Sequence, residues 1–88
     1  MAEHKSALKR HRQSERRRAR NRHVLSTVRT LAKNVRTAVE AGDTAAAQQA
    51  LRLVTQRIDQ AVTKGVYHRK TGSRYIARLS LCVQAAQK

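Results

Sequence analysis

Between residues 5 and 22 the chain reads KSALKRHRQSERRRARNR, with arginine or lysine on every side. Arg16, Arg17 and Arg18 adjoin Arg20 and Arg22, and Glu15 is the one counter-charge within the run. A guanidinium presents a planar fork that matches phosphate oxygens in two-point contacts. The chemistry open to this stretch is therefore phosphate binding, on several faces at once. Charges all round a segment require phosphates on more than one side, as in a crevice between nucleic-acid helices. A single duplex groove needs only one face. Leu8 is the only large apolar residue in the run, so it has no face for a protein core.

The other reactive side chains are too scattered to form a site. The five carboxylates, Glu3, Glu15, Glu40, Asp43 and Asp59, make no pair at helical spacing on a buried face. The four histidines, His4, His11, His23 and His68, include no i,i+4 pair, and Cys82 has no histidine or second cysteine near it. A zinc site needs a convergent set of nitrogen and sulfur ligands. No P-loop and no G-x-G-x-x-G is present. Catalysis needs a concave, partly dry pocket, and a small alanine-rich core leaves little room for one. The expectation is a protein that is not an enzyme, with no metal and no cofactor. Cys82 reads as a small core hydrophobe. His68 can cap a helix or contact a partner, and the sequence does not choose between the two.

These residues need elements to carry them. Proline is absent, and Gly42 and Gly65 punctuate the chain. Gly42 follows a long helix-compatible run, and Asp43 or Thr44 can cap what comes next. Gly65 closes a second run after Lys64. Strand signals are lacking. The pattern predicts three helices near 5–41, 44–64 and 68–86, arranged as an all-α antiparallel three-helix bundle. Val24, Val28, Leu31, Val35 and Val39 form the apolar face of the first helix. Ala47, Leu51, Val54, Ile58 and Ala61 form that of the second, with Leu53 able to widen it. Tyr75, Leu79, Cys82, Val83 and Ala86 should point inward from the third. Gly72 inside that helix should weaken it by about 1 kcal/mol against alanine.

Carried backwards in register, the apolar face of the first helix runs through Asn21, Arg17, Ser14 and Arg10. Burying unpaired charge there would cost on the order of several kcal/mol. The basic half of this long helix should therefore project beyond the bundle. We expect a single domain over residues 1–88, with 1–22 as a basic arm continuous with the first helix and 23–88 as the bundle. Adjacent like charges destabilise an isolated helix, so the free arm should fray. Arg22, Arg29, Lys33 and Arg36 share a second face of the first helix. Lys70, Arg74 and Arg78 recur along the third, whereas Arg52 and Arg57 read as solvated charges.

The formal net charge of +15 draws the chain to polyanions. A membrane-surface helix needs bulky apolar residues opposite its cationic face, and the arm has none. No apolar run approaches the ~20 residues that cross a bilayer, and the N-terminus lacks the apolar core of a secretory signal. A lone cysteine forms no intramolecular disulfide and fits a reducing, cytoplasmic setting. Only Tyr67 and Tyr75 could stack on bases, which disfavours a single-strand reader. Folded RNA suits the arm best. A nucleoid-type DNA-binding protein is the alternative, and an adaptor using the bundle's heptads is a third reading. No small-molecule substrate is implied, and a monomer is expected.

The same residues resemble a known family. Lys5-Ser6-Ala7, Lys9-Arg10 and Arg12-Gln13-Ser14-Glu15-Arg16-Arg17 are similar to the opening of the bacterial small-subunit ribosomal protein S-twenty family. Asn21, Ser26, Arg29-Thr30, Lys33, Gly42-Asp43, Asp59, Lys64-Gly65, His68, Arg74 and Arg78-Leu79 continue the likeness. The resemblance implies a three-helix bundle whose first helix inserts into small-subunit ribosomal RNA. There it would bridge the RNA's 5′ domain and the long stem near its 3′ end, with a structural role in the small ribosomal subunit and its assembly. By position it implies RNA contacts at Lys5, Ser6, Lys9, Arg10, Arg12, Gln13, Ser14, Arg16, Arg17, Asn21, Arg29, Lys33, Lys64, His68, Arg74 and Arg78. Arg18, Arg20 and Arg22 of the arm, with Lys70, complete the expected set. Family members often carry Asn at the place of Lys70, alanines at Gly72-Ser73 and basic residues near Tyr75 and Ile76. The third helix here is less cationic than that pattern.

Overall fold

A computed structural model describes residues 2–87, with side chains over 4–86, so the Glu3 carboxylate lies outside the described side chains. Three helices follow in order: α1 (Ala2–Glu40), α2 (Thr44–Thr63) and α3 (Arg69–Gln87). No strand occurs among the described residues. This is the all-α three-helix architecture expected, with boundaries shifted by a few positions at the ends.

Both inter-helix turns are built on glycine. Gly42 has φ +75° and Gly65 φ +80°, the left-handed region that favours a residue without Cβ. Around Gly42, its own N–H donates to the Val39 carbonyl at 3.1 Å and the Asp43 N–H to the Ala38 carbonyl at 3.1 Å. Around Gly65, its N–H donates to Val62 at 3.0 Å and the Val66 N–H to Ala61 at 2.9 Å. Both are Schellman motifs, which satisfy carbonyls that the last helical turn would leave unpaired. Asp43 then starts α2, its Oδ1 accepting from the Ala46 N–H at 3.1 Å. His68 starts α3 in the same way, its Nδ1 accepting from the Lys70 N–H at 3.1 Å. Of the two roles open to His68, the structure shows the cap.

The core is small. Val28, Ala32 and Val35 of α1 meet Ala47, Val54, Ile58 and Ala61 of α2 and Leu79 and Val83 of α3. Val24, Leu31, Val39, Leu51, Tyr75 and Cys82, all expected inward, are half-buried. Ala32 was not on the expected stripe. Two expectations are corrected. Ala86 is exposed, since α3 has by then reached the end of the bundle, roughly 21 Å beyond Gly72. Leu53 is 43% exposed and does not widen the core, and Leu81 is 65% exposed.

Gly72 is also more than a weak point in α3. It is buried, and a Cβ placed on it would lie 2.6 Å from Val62 Cγ2 and 3.3 Å from Ile58 Cγ2. The missing methyl lets α3 lie close against α2. Near this crossing the Tyr67 and Tyr75 rings stand 6.4 Å apart. Burial, chiefly, lifts the Tyr67 phenol above its ordinary pKa of 10.0; Tyr75 adds to the rise and Arg29 opposes it.

The molecule measures 66 × 22 × 13 Å, with a radius of gyration of 17.5 Å. A compact domain of this length would have about 12 Å. The excess is the first half of α1, whose described side chains from His4 to Arg20 are all exposed.

Two expectations follow from this packing. Gly72→Ala gains about 1 kcal/mol of helix propensity but forces an overlap of the kind that costs ~1–3 kcal/mol. Thermal unfolding should show a net loss of about 1 kcal/mol, and the loss should vanish or reverse in a Val62→Ala background. Tyr67 binds its proton more tightly folded than unfolded, so its contribution is full below pH 10 and falls as pH rises through the raised value. Tyr67→Phe should accordingly flatten the alkaline decline of the melting temperature.

Candidate nucleic-acid interface

The arm is a helix clothed in cations. At about 100° per residue, Lys5, Lys9, Arg12, Arg16 and Arg20 cover one side. Arg10 and Arg17 cover a second, and Arg18 and Arg22 a third. Lys5, Lys9, Arg12, Gln13 and Arg16 line a shallow groove along the first of these. Gln13 and Arg16 continue with Arg17 and Arg20 into the next. Ser6 and Ser14 are exposed between them. The one salt bridge among the described residues is Arg18 to Glu15 at 3.9 Å, between side chains that are both more than half exposed. Such a contact contributes little. Apart from Arg18, the cations of the arm are thus held in water without a salt-bridge partner among the described residues.

At the root of the arm Asn21 is half-buried, and its Oδ1 is shielded from solvent with no hydrogen-bond partner. It is the only one of the expected contact residues that is half-buried; the others are exposed. Its neighbour Arg22 points outward.

On the bundle, Arg29 and Lys33 are exposed along one stripe of α1. The stripe leads to Arg36, which joins Arg74 and Arg78 across a groove of about 430 Å³ between α1 and α3. Thr71 and Tyr75 also line it, and no carboxylate does. Lys64 lies at the C-cap of α2. The His68 and Lys70 side chains are exposed beside the second turn. The structure thus gathers Arg74 and Arg78 into one groove and leaves Lys64, His68 and Lys70 near the bundle end from which the arm departs.

A smaller cleft of about 200 Å³ lies between α1 and α2 at that same end. His23 and Arg57 line it together with Lys64. Arg36, Arg57 and His23 were not among the expected contacts. Arg36 and His23 each lie beside cations from another helix, and Arg57 lies beside His23, so only the inter-helix register reveals these neighbours. Arg36 does share a face with Arg29 and Lys33, which was the signal available in sequence.

Nothing in this surface resembles a catalytic centre. No polar or charged side chain is buried among the described residues. No group of three His, Cys, Asp or Glu gathers among them to hold a metal ion. Among the described residues no helix is long and apolar enough to cross a membrane.

Comparison with known proteins agrees with the geometry. Residues 2–84 match the family model of Ribosomal protein S20. A relative from Solidesulfovibrio magneticus, named small ribosomal subunit protein bS20, is 52% identical over 87 residues, covering 99% of this chain and 98% of its own. Proteins of the same name from Geotalea uraniireducens and Syntrophus aciditrophicus are each 53% identical, over 94% and 97% of this chain and 95% and 96% of theirs. With an exposed cationic helix at one end, a small bundle at the other and matches over nearly its whole length, the chain belongs to the ribosomal protein S20 family.

Proposed function

We propose that this protein is a structural constituent of the small ribosomal subunit that binds small-subunit ribosomal RNA directly through its arm. It bridges the RNA's 5′ domain and the long stem near the 3′ end, aids subunit assembly, and is a monomer within the cytoplasmic particle. The observation that carries this reading is the outward-facing charge from Lys5 to Arg20, on a helix with one weak internal ion pair. A rod charged on all sides is stabilised where phosphates surround it, and folded RNA supplies such crevices. The groove of Arg36, Arg74 and Arg78 gives the bundle a second place for phosphate, about 35 Å along α1 from the middle of the arm. Two separated cationic surfaces are what a bridge needs. The DNA-binding alternative draws no support from the relatives, which bear small-subunit ribosomal names.

The affinity should come largely from released counterions. With about eight phosphates engaged, the logarithm of the binding constant should fall against log salt with a slope of about −6 to −7. Filter binding to folded small-subunit RNA between low and moderate salt measures it, and a slope near zero would remove the mechanism. Arg16→Gln with Arg17→Gln should make the slope shallower by about 2.

Amide exchange gives an independent check. Residues 5–22 should exchange quickly in the free protein, where like charges oppose the helix, and slowly in the complex. Strong protection without RNA would contradict the assigned role of the phosphates.

A further inference from the structure

The arm's affinity for phosphate does not by itself fix where the arm stops. Lysine and arginine hold nine of the eighteen positions from Lys5 to Arg22, many of them four residues apart, so sliding the arm by one turn, about 5.4 Å, exchanges one cation for another along much of its length. A unique position along the RNA needs a feature that does not repeat. The cleft between α1 and α2 at the arm's root is such a feature.

Here α2 runs back along α1 and ends beside residues 23–28. The cleft encloses about 200 Å³, with His23 on the α1 wall and Arg57, Gln60 and Lys64 on the α2 wall. Val28 and Ala61, both fully buried, form part of its floor. No carboxylate lines it, and neither Arg57 nor Lys64 has a salt-bridge partner among the described residues. Arg57 Nη1 donates to Gln60 Oε1 at 3.4 Å, which steadies the guanidinium at the rim. A guanidinium has five N–H donors, so four remain. His23 offers an N–H in either protonation state. An apolar floor lowers the local dielectric and strengthens the pull of the two fixed charges on an anion.

We propose that this cleft seats one phosphodiester of the RNA backbone and thereby sets the depth to which the arm inserts. The inference rests on the reading that the arm lies in folded small-subunit RNA. It assigns Arg57 and His23, whose side chains are exposed, as phosphate contacts together with Lys64. The walls come from two helices and occur once in the molecule, so the seat has no equivalent one turn away.

The test uses the full chain and folded small-subunit ribosomal RNA. Arg57→Gln should make the salt slope shallower by about 1 and weaken binding about tenfold, the contribution of one charge-assisted hydrogen bond. Arg52→Gln removes another exposed arginine of α2, one that lies in a different groove with Asp59, and should leave the slope unchanged. Circular dichroism should give the same melt for both variants. Depth is read separately. An iron chelate on Ser14→Cys, in a Cys82→Ser background, should cut the RNA at one narrow cluster of nucleotides. Adding Arg57→Gln and His23→Gln should spread or shift that cluster. If the Arg16 and Arg17 variants weaken binding while Arg57→Gln changes neither the slope nor the cutting pattern, the seat is disproved and the arm stands. If the arm variants also change nothing, the underlying reading falls with it.

Discussion

Mutual repulsion along the first half of α1 is the constraint on which the rest depends. A net charge of +15 on 88 residues cannot be folded inward, because every buried unpaired cation would cost several times what a valine contact returns. The chain separates the two demands in space. Its buried apolar residues are confined to the second half of α1 and to two shorter helices. The densest charge is carried outward on the first half of α1, whose described side chains from His4 to Arg20 are all exposed. The rod is thereby kept available for a polyanion, and the bundle is what fixes its direction.

The bundle meets this task with little material. Its largest fully buried side chains are Ile58, Val28, Val35 and Val54. With so small a core, backbone termini and close helix contact matter more than bulk. Glycine serves in two distinct ways. At Gly42 and Gly65 it adopts a left-handed conformation that ends a helix. At Gly72 its missing methyl lets α3 settle against Val62 and Ile58. The charged surfaces follow from how the two shorter helices pack on α1. Arg36 meets Arg74 and Arg78 because α3 lies against α1, and Arg57 meets His23 because α2 does.

What could be read in the sequence is what local chemistry decides. The Gly42-Asp43 and Lys64-Gly65 pairs mark their turns, because a left-handed glycine and a capping carboxylate act within a few residues. The arm was legible because charge on all faces admits no inward register. Ala32 was missed because alanine is compatible with either face of a helix. Gly72 read as a defect because its complement, Val62, lies on another helix. Ala86 continued the periodicity of α3, but periodicity carries no information about where a neighbouring helix ends. The same limit hid Arg57 and His23: neither looks special until α2 is laid against α1.

Asp43 is at once the residue whose N–H closes α1 and the residue whose side chain opens α2. One position serves two helix ends, so the linker has no spare length. An inserted residue would detach one terminus from its cap whichever side it entered. This corner is therefore a poor place for tags, permuted termini or grafted loops. The hinge sets the angle of the hairpin as a fixed joint, without slack to be adjusted later.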